Sequence, residues 1–260
     1  SGLCGDNITW SLKNGDTLLI EGKGEMYDYA KSEDVPWSEY SNKITKVTFK
    51  GSITSIGSYS LSYLSSSMIS EITLPDSVEK IGEYAFSYSL PTVILPSDLS
   101  VIGNNAFSNY ANKSIYLPED LTYIGDNAFS GSKLETITIP GNVTYIGNDA
   151  FSDIDSLEEA YLTYDEDQVN LLSSSAIQSS SFGKDDSIKL VLDDGIKSTF
   201  DKKFPSLSSK TVASLEMTGL KNQYSKSTTK SIKVKTNRDD ENVKFVSTSP
   251  SVATIDDNGV

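Results

Sequence analysis

The chain has 260 residues, 37% hydrophobic and 22% charged, with a formal net charge of −14, one cysteine and no histidine. That composition describes a soluble folded protein with room for one core, or for one elongated array plus a small extra module. The missing histidine removes the commonest general base and metal ligand, and with it Ser-His-Asp, Cys-His and His/Cys zinc arrangements. The single Cys4 allows no internal disulfide and reads as an exposed thiol. No apolar run approaches the roughly 18 residues of a membrane helix.

Residues 1–43 read as an N-terminal β cap. Trp10 and Leu12 alternate with polar residues, Asn14-Gly15 forms a two-residue hairpin turn, and Leu18 and Ile20 resume the alternation. Met26 to Tyr29 and Pro36-Trp37 then lead into the first repeat.

Residues 44–162 repeat. Ile56-Gly57 returns as Ile81-Gly82, Ile102-Gly103, Ile124-Gly125 and Ile146-Gly147, at steps of 25, 21, 22 and 22 residues. From the second copy on, Ala-Phe closes the phrase, at Phe86, Phe107, Phe129 and Phe151; the first copy has Ser60-Leu61 there, so that unit is expected to pack differently. A second phrase ends on Pro75, Pro96, Pro118 and Pro140 at steps of 21, 22 and 22. With Val47-Thr48-Phe49 before it and Ala160-Tyr161-Leu162 after, it makes six strand candidates. A period of about 22 lies in the leucine-rich-repeat range of roughly 20–29. Each unit reads as a short strand alternating in and out, a proline that ends it, an extended step, a glycine that permits a turn, and a short helical or 3₁₀ turn in which Phe fills the interior. No unit buries its apolar side alone, so stacking is required.

Residues 163–211 read as an irregular last repeat and C-terminal cap. A strand spans 188–192, and a helix over 195–204 puts Ile196, Phe200 and Phe204 on one face before Pro205. Residues 212–260 shift in charge: residues 1–205 carry 30 acids against 14 bases, and residues 206–260 carry 6 against 8. Short alternating runs at 231–235 and 243–247, and the tail Ser249–Val260, predict a truncated β-sandwich that continues beyond Val260.

The Ile-Gly-x-x-Ala-Phe and Ile-x-Leu-Pro phrases resemble the BspA-like leucine-rich repeats of bacterial surface proteins. The start, Cys4 to Leu12, is similar to the N-terminal cap that often precedes them, and the tail resembles a bacterial immunoglobulin-like domain of the second group. The resemblance implies a right-handed β-rich solenoid with parallel strands on one face, followed by a partial immunoglobulin-like sandwich. It also implies a secreted or cell-surface protein with no catalytic motif; some members are adhesins for host matrix proteins.

In such an array the exposed strand face is concave and continuous. Its central outward positions are Thr48, Thr73, Ile94, Tyr116, Thr138 and Tyr161, flanked by Glu71 and Glu159 among others. Tyrosines are favoured at binding hot spots, although Thr and Tyr also simply suit strands. Tyr123 and Tyr145 are expected to pack along the array. Acidic runs at 165–167, 185–186, 193–194 and 239–241 read as solvated loops rather than calcium sites, because none has EF-hand spacing. The chain is thus expected to be a non-enzymatic, monomeric module, without cofactor or metal, that binds a host extracellular-matrix or other cell-surface protein. It is expected to bind neither nucleic acid nor to enter a membrane. A structural spacer, or a glycan- or substrate-targeting module of a larger secreted protein, is the alternative.

Overall fold

The computed structural model describes residues 1–64, 68–183 and 187–214, and the backbone of the strands Glu216–Thr218 and Lys233–Lys235. Those two strands pair antiparallel. The remainder of the expected sandwich, and the acidic runs at 185–186 and 239–241, lie outside the described residues.

The cap is a meander: β1 (Gly2–Gly5), β2 (Ile8–Lys13) and β3 (Thr17–Glu25) are antiparallel in order, and β3 then pairs in parallel with β4 (Lys46–Ile56). The hairpin turn falls where Asn-Gly predicts it. Asn14 and Gly15 both have positive φ, but Lys13 pairs with Thr17, so the loop is three residues long rather than two. Trp10 and Trp37 meet edge to face at 5.6 Å, and the buried Trp37 indole donates to the Ser60 carbonyl at 2.9 Å, closing the open end of the first coil. Cys4 belongs to this cap and is fully buried, not exposed.

Each repeat is one coil with three sides. The first carries the expected strands Glu71–Thr73, Thr92–Ile94, Thr136–Ile139 and Glu159–Leu162. The second is more than an extended step. The two-residue strands Lys80–Ile81, Val101–Ile102, Tyr123–Ile124 and Tyr145–Ile146 continue from β4 as one eight-stranded sheet that begins in the cap. A bridge from Ile146 to Ile177 carries this side into the next coil.

The third side is not helical. In the second coil, Ala85, Ser87 and Ser89 donate to Gly82, Tyr84 and Phe86, three tight turns in succession. The left-handed residues are Tyr84 (φ 54°) and Tyr88 (φ 57°), not the glycine. Alternate amides then bond the following coil: Phe86 to Ala106 at 2.8 Å, Phe107 to Ala128 at 2.7 Å and Phe129 to Ala150 at 2.7 Å. The repeated glycine serves close approach. A Cβ on Gly125 would lie 2.6 Å from the Asn104 amide nitrogen and 2.5 Å from its Oδ1.

This backbone lattice puts the phenylalanines in one column. Phe86, Phe107, Phe129, Phe151 and Phe182 are fully buried and stack face to face at 5.2, 5.3, 5.1 and 5.3 Å, with planes within 7°. Phe182 shows that residues 163–183 are a further coil: Ile177 and Phe182 are five apart, as Ile146 and Phe151 are, after an insertion. Leu61 takes the same buried place in the first coil and donates to Ala85 as Phe86 does to Ala106, so that unit keeps the backbone of the others.

The insertion forms α1 (Glu166–Leu171), and after the strand Lys189–Asp193 comes α2 (Asp194–Lys203). Ile196, Phe200 and Phe204 are buried, as their spacing predicts. Lys203 Nζ donates to the carbonyls of Val169 and Asn170 at 3.0 and 2.6 Å, satisfying the end of α1 from the end of α2.

Removing one ring from the column, Phe129→Ala, is expected to destabilise by about 3–5 kcal/mol in urea unfolding, since a void in a fixed lattice relaxes poorly. Gly125→Ala is expected to cost about 1–3 kcal/mol through backbone overlap. A wild-type midpoint for either variant would contradict the packing described.

Candidate functional site

The outward residues of the first side are the candidate surface. Thr73 and Glu71 are exposed, as is Glu159, while Ile94, Thr138, Tyr116, Tyr161 and Thr48 are half-buried; their neighbours Ile72, Val93, Ile137 and Ala160 are buried. The alternation that defines two faces of a strand therefore holds at Thr73, Ile94, Thr138 and Tyr161, while at Thr48 the following Phe49 is itself half-buried.

Register sets which of these residues meet. Thr73 lies beside Ile94, and Glu71 beside Thr92. Thr138 lies beside Tyr161, and Thr136 beside Glu159. The row then extends beyond the predicted residues: Tyr161 aligns with Val191 and Val191 with Val212, in a four-stranded parallel sheet. Thr48 is elsewhere, aligned with Leu19 in the cap sheet.

The face is not one continuous ladder. Among the described residues the segment Ser114–Leu117, which carries Tyr116, is not a regular strand. Tyr110 explains the break. Its ring packs edge to face on Phe107 at 5.4 Å, and its buried hydroxyl accepts the Val93 amide at 2.8 Å, taking a donor at the point where the ladder would pass. Asn112 completes the splice. It donates to the carbonyls of Leu90 and Pro91 at 2.8 and 2.9 Å and accepts from Thr92 Oγ1 at 3.1 Å. The face thus falls into a two-stranded part holding Thr73 and Ile94 and a four-stranded part holding Thr138 and Tyr161, with Tyr116 between them. Lys113 and Glu135 span the second junction at 2.6 Å.

Tyr161 is held in place: its hydroxyl donates to Glu159 Oε2. Burial, then that hydrogen bond and the adjacent carboxylate, raise its pKa, so it remains a neutral donor at physiological pH. Tyr123 and Tyr145 stack at 4.7 Å, but on the second side.

Two acidic runs are exposed, as expected, but each starts a helix instead of lying in a loop. Asp165 caps α1, accepting from Gln168 N while Gln168 Oε1 accepts from Asp165 N, both at 2.8 Å; Asp193 caps α2 by accepting from Gly195 N. The Asp-x-x-Gln spacing was a readable capping signal. A polar ladder along the coils is less readable. Asn104 Oδ1 accepts the Asp126 amide at 2.9 Å, and Asp126 Oδ1 accepts the Asn148 amide at 2.8 Å. Asp28 starts it from the cap by accepting both the amide and the hydroxyl of Ser58 at 2.7 Å. Burial would raise that carboxyl, but the Ser58 bonds and Lys80 outweigh it and hold it below its usual value. Among the described residues no group of three His, Cys, Asp or Glu could hold a metal ion.

Several buried groups are held neutral. Burial pushes the Cys4 thiol up to about 12, and burial also raises the hydroxyls of Tyr29, Tyr110 and Tyr164. In the unfolded chain the thiol ionises near 9.0 and tyrosine near 10.0. The unfolded state therefore loses protons first on raising the pH. The contribution of these groups to stability is fully present below pH 9.0 and is lost between there and the folded-state values. Urea midpoints are expected to be level from about pH 7 to 8.5 and to fall steadily above about pH 9; a level profile to about pH 11 would contradict this. Cys4 is expected to resist a thiol reagent until the chain is unfolded.

Residues 38–158 match the BspA type Leucine rich repeat region in six copies. Among solved structures, a leucine-rich repeat protein from Eubacterium ventriosum is 26% identical with a TM-score of 0.56; the match covers 62% of this chain and 43% of that one. A leucine-rich repeat protein from Bacteroides ovatus is 27% identical over 75% of this chain and 50% of its own, with a TM-score of 0.40. The pneumococcal vaccine antigen PcpA is 22% identical over 62% and 38%, with a TM-score of 0.49. This chain thus spans less than half the length of the first of these. No curated protein matches the sequence. Parallel strands at a period of about 22, one buried column and the family match together give residues 38–158 a leucine-rich-repeat fold whose repeats are similar to the BspA type.

Proposed function

We propose that the chain is the interaction module of a secreted or cell-surface bacterial protein, and that it presents its strand face to a macromolecular ligand such as a host extracellular-matrix or other cell-surface protein. Leucine-rich repeats are generally of the protein-interaction type, and the matched family is one of repeats rather than of catalytic domains. The observation that carries the reading is the half-buried, hydrogen-bonded Tyr161 beside Thr138, with Tyr116 further along the same face. A large aromatic group already fixed in one position loses little freedom on binding. Charge supports the choice of partner: at −14 the chain repels nucleic acid and anionic membranes. Among the described residues no helix is long and apolar enough to cross a membrane. In this reading the chain acts as a monomer, catalyses nothing, and its residues 212–260 contribute to an immunoglobulin-like module.

Immobilised matrix proteins and neighbouring cells, screened with the purified chain, test the proposal. Saturable binding is expected, weakened about tenfold by Tyr161→Ala or Tyr116→Ala, a loss of about 1.4 kcal/mol. Tyr123→Ala, on the other side of the coil, is expected to bind as wild type. A screen with no saturable partner, or equal losses in all three variants, would overturn the assignment of the face.

A further inference from the structure

The turn side of the first two coils differs from the rest of the array. In later coils the left-handed turn positions hold residues that tolerate positive φ: Asn105, Asn109, Asn127, Gly131, Asp149 and Asp153. In the first two coils the same four places are all tyrosine: Tyr59, Tyr63, Tyr84 and Tyr88, with φ from 54° to 62°. A bulky residue is a poor choice for that backbone, so the local energetics do not explain the substitution. The rings form two stacked pairs, Tyr59 on Tyr84 at 4.8 Å and Tyr63 on Tyr88 at 5.0 Å.

Stacking covers one face each of Tyr59 and Tyr63. Both rings line a groove of about 330 Å³, whose other wall is the pair of 3₁₀ turns Ser32–Asp34 and Ser38–Tyr40 of the cap. Exposed Glu33 and Glu39 stand on that wall, and neither Lys nor Arg is among the lining residues. Ser60 also lines it; the residue is only 2% exposed, and its buried hydroxyl has no hydrogen-bond partner, which such a group ordinarily has. The groove thus combines two aromatic rings, two carboxylates and one unspent buried hydroxyl.

We propose that this groove binds a basic side chain, arginine above all, presented by a protein partner. A guanidinium is planar and weakly hydrated, stacks on tyrosine and offers five N–H donors, while both carboxylates and the serine oxygen accept. A neutral sugar could use the same rings and hydroxyls but gains nothing from two uncompensated carboxylates, so charge is what distinguishes the two ligands. The groove is built from the cap and the turn side, so it is independent of the strand face, and either site can fail without the other.

The probe is N-acetyl-arginine methylamide, titrated into the 260-residue chain carrying ring-labelled tyrosine and followed by NMR. The neutral isostere N-acetyl-citrulline methylamide and methyl glucoside are the comparisons. Saturable shifts confined to the groove tyrosines are expected with the arginine probe alone, weakening with salt. Tyr59→Asn with Tyr63→Asn, which places at both turns the residue later coils use there, is expected to keep the fold by circular dichroism and to abolish the saturation. Glu33→Gln with Glu39→Gln is expected to weaken binding about threefold to fivefold. No saturation, equal binding of citrulline or glucoside, or full binding by the double asparagine variant would each overturn the proposal.

Discussion

Everything in this molecule depends on translating one buried position from coil to coil at a nearly constant step. Phe86, Phe107, Phe129, Phe151 and Phe182 lie 5.1 to 5.3 Å apart with nearly parallel planes. That step is close to the separation of about 4.8 Å between hydrogen-bonded strands, so ring stacking and backbone pairing are satisfied by one geometry. A coil that shifted would lose both at once. This is why a 31-residue step between Ile146 and Ile177 is absorbed in a helix outside the column, while the five residues from Ile177 to Phe182 are kept.

The same constraint accounts for the glycines, the left-handed residues and the caps. At a step near 5 Å the chain after Ile-Gly runs so close to the previous coil that a Cβ on Gly125 or Gly147 would overlap it. Three tight turns in a row then need two left-handed residues per coil, and in the later coils Asn, Asp and Gly fill those places. An end of the column is bare apolar surface. Trp10 and Trp37 close one end, and Ile196, Phe200 and Phe204 of the second helix belong to the buried cluster at the other.

Where the array departs from its own rule, it does so at surfaces. Tyr110 and Asn112 interrupt the strand ladder and leave Tyr116 between two sheets, so the face offers two patches in place of one even wall. The four turn tyrosines depart from the Asn, Asp and Gly pattern only beside the cap, where the groove lies. A strictly regular solenoid offers the same chemistry at each step; selectivity needs such breaks.

The sequence by itself determined the repeat, its period, the inward residues and the outward row from Thr73 to Tyr161, because periodicity is a one-dimensional signal and burial follows it directly. It also carried the Asn-Gly hairpin and the face of Ile196, Phe200 and Phe204, since each depends on neighbours within a turn; the Asp165 to Gln168 capping box has an equally local signal, although that run reads as a solvated loop in the sequence. Only the tertiary structure decided the rest. That the Ile-Gly step is a second sheet, that glycine answers to a neighbouring coil and not to its own φ, that Tyr110 takes the Val93 amide, and that Cys4 is buried all rest on contacts between segments about 17 to 25 residues apart or on cap packing. The pairing of Tyr59 with Tyr84 over a groove formed by the cap is of the same kind. Such contacts have no local signature, because the energy that selects them belongs to the stack of coils and not to any one of them.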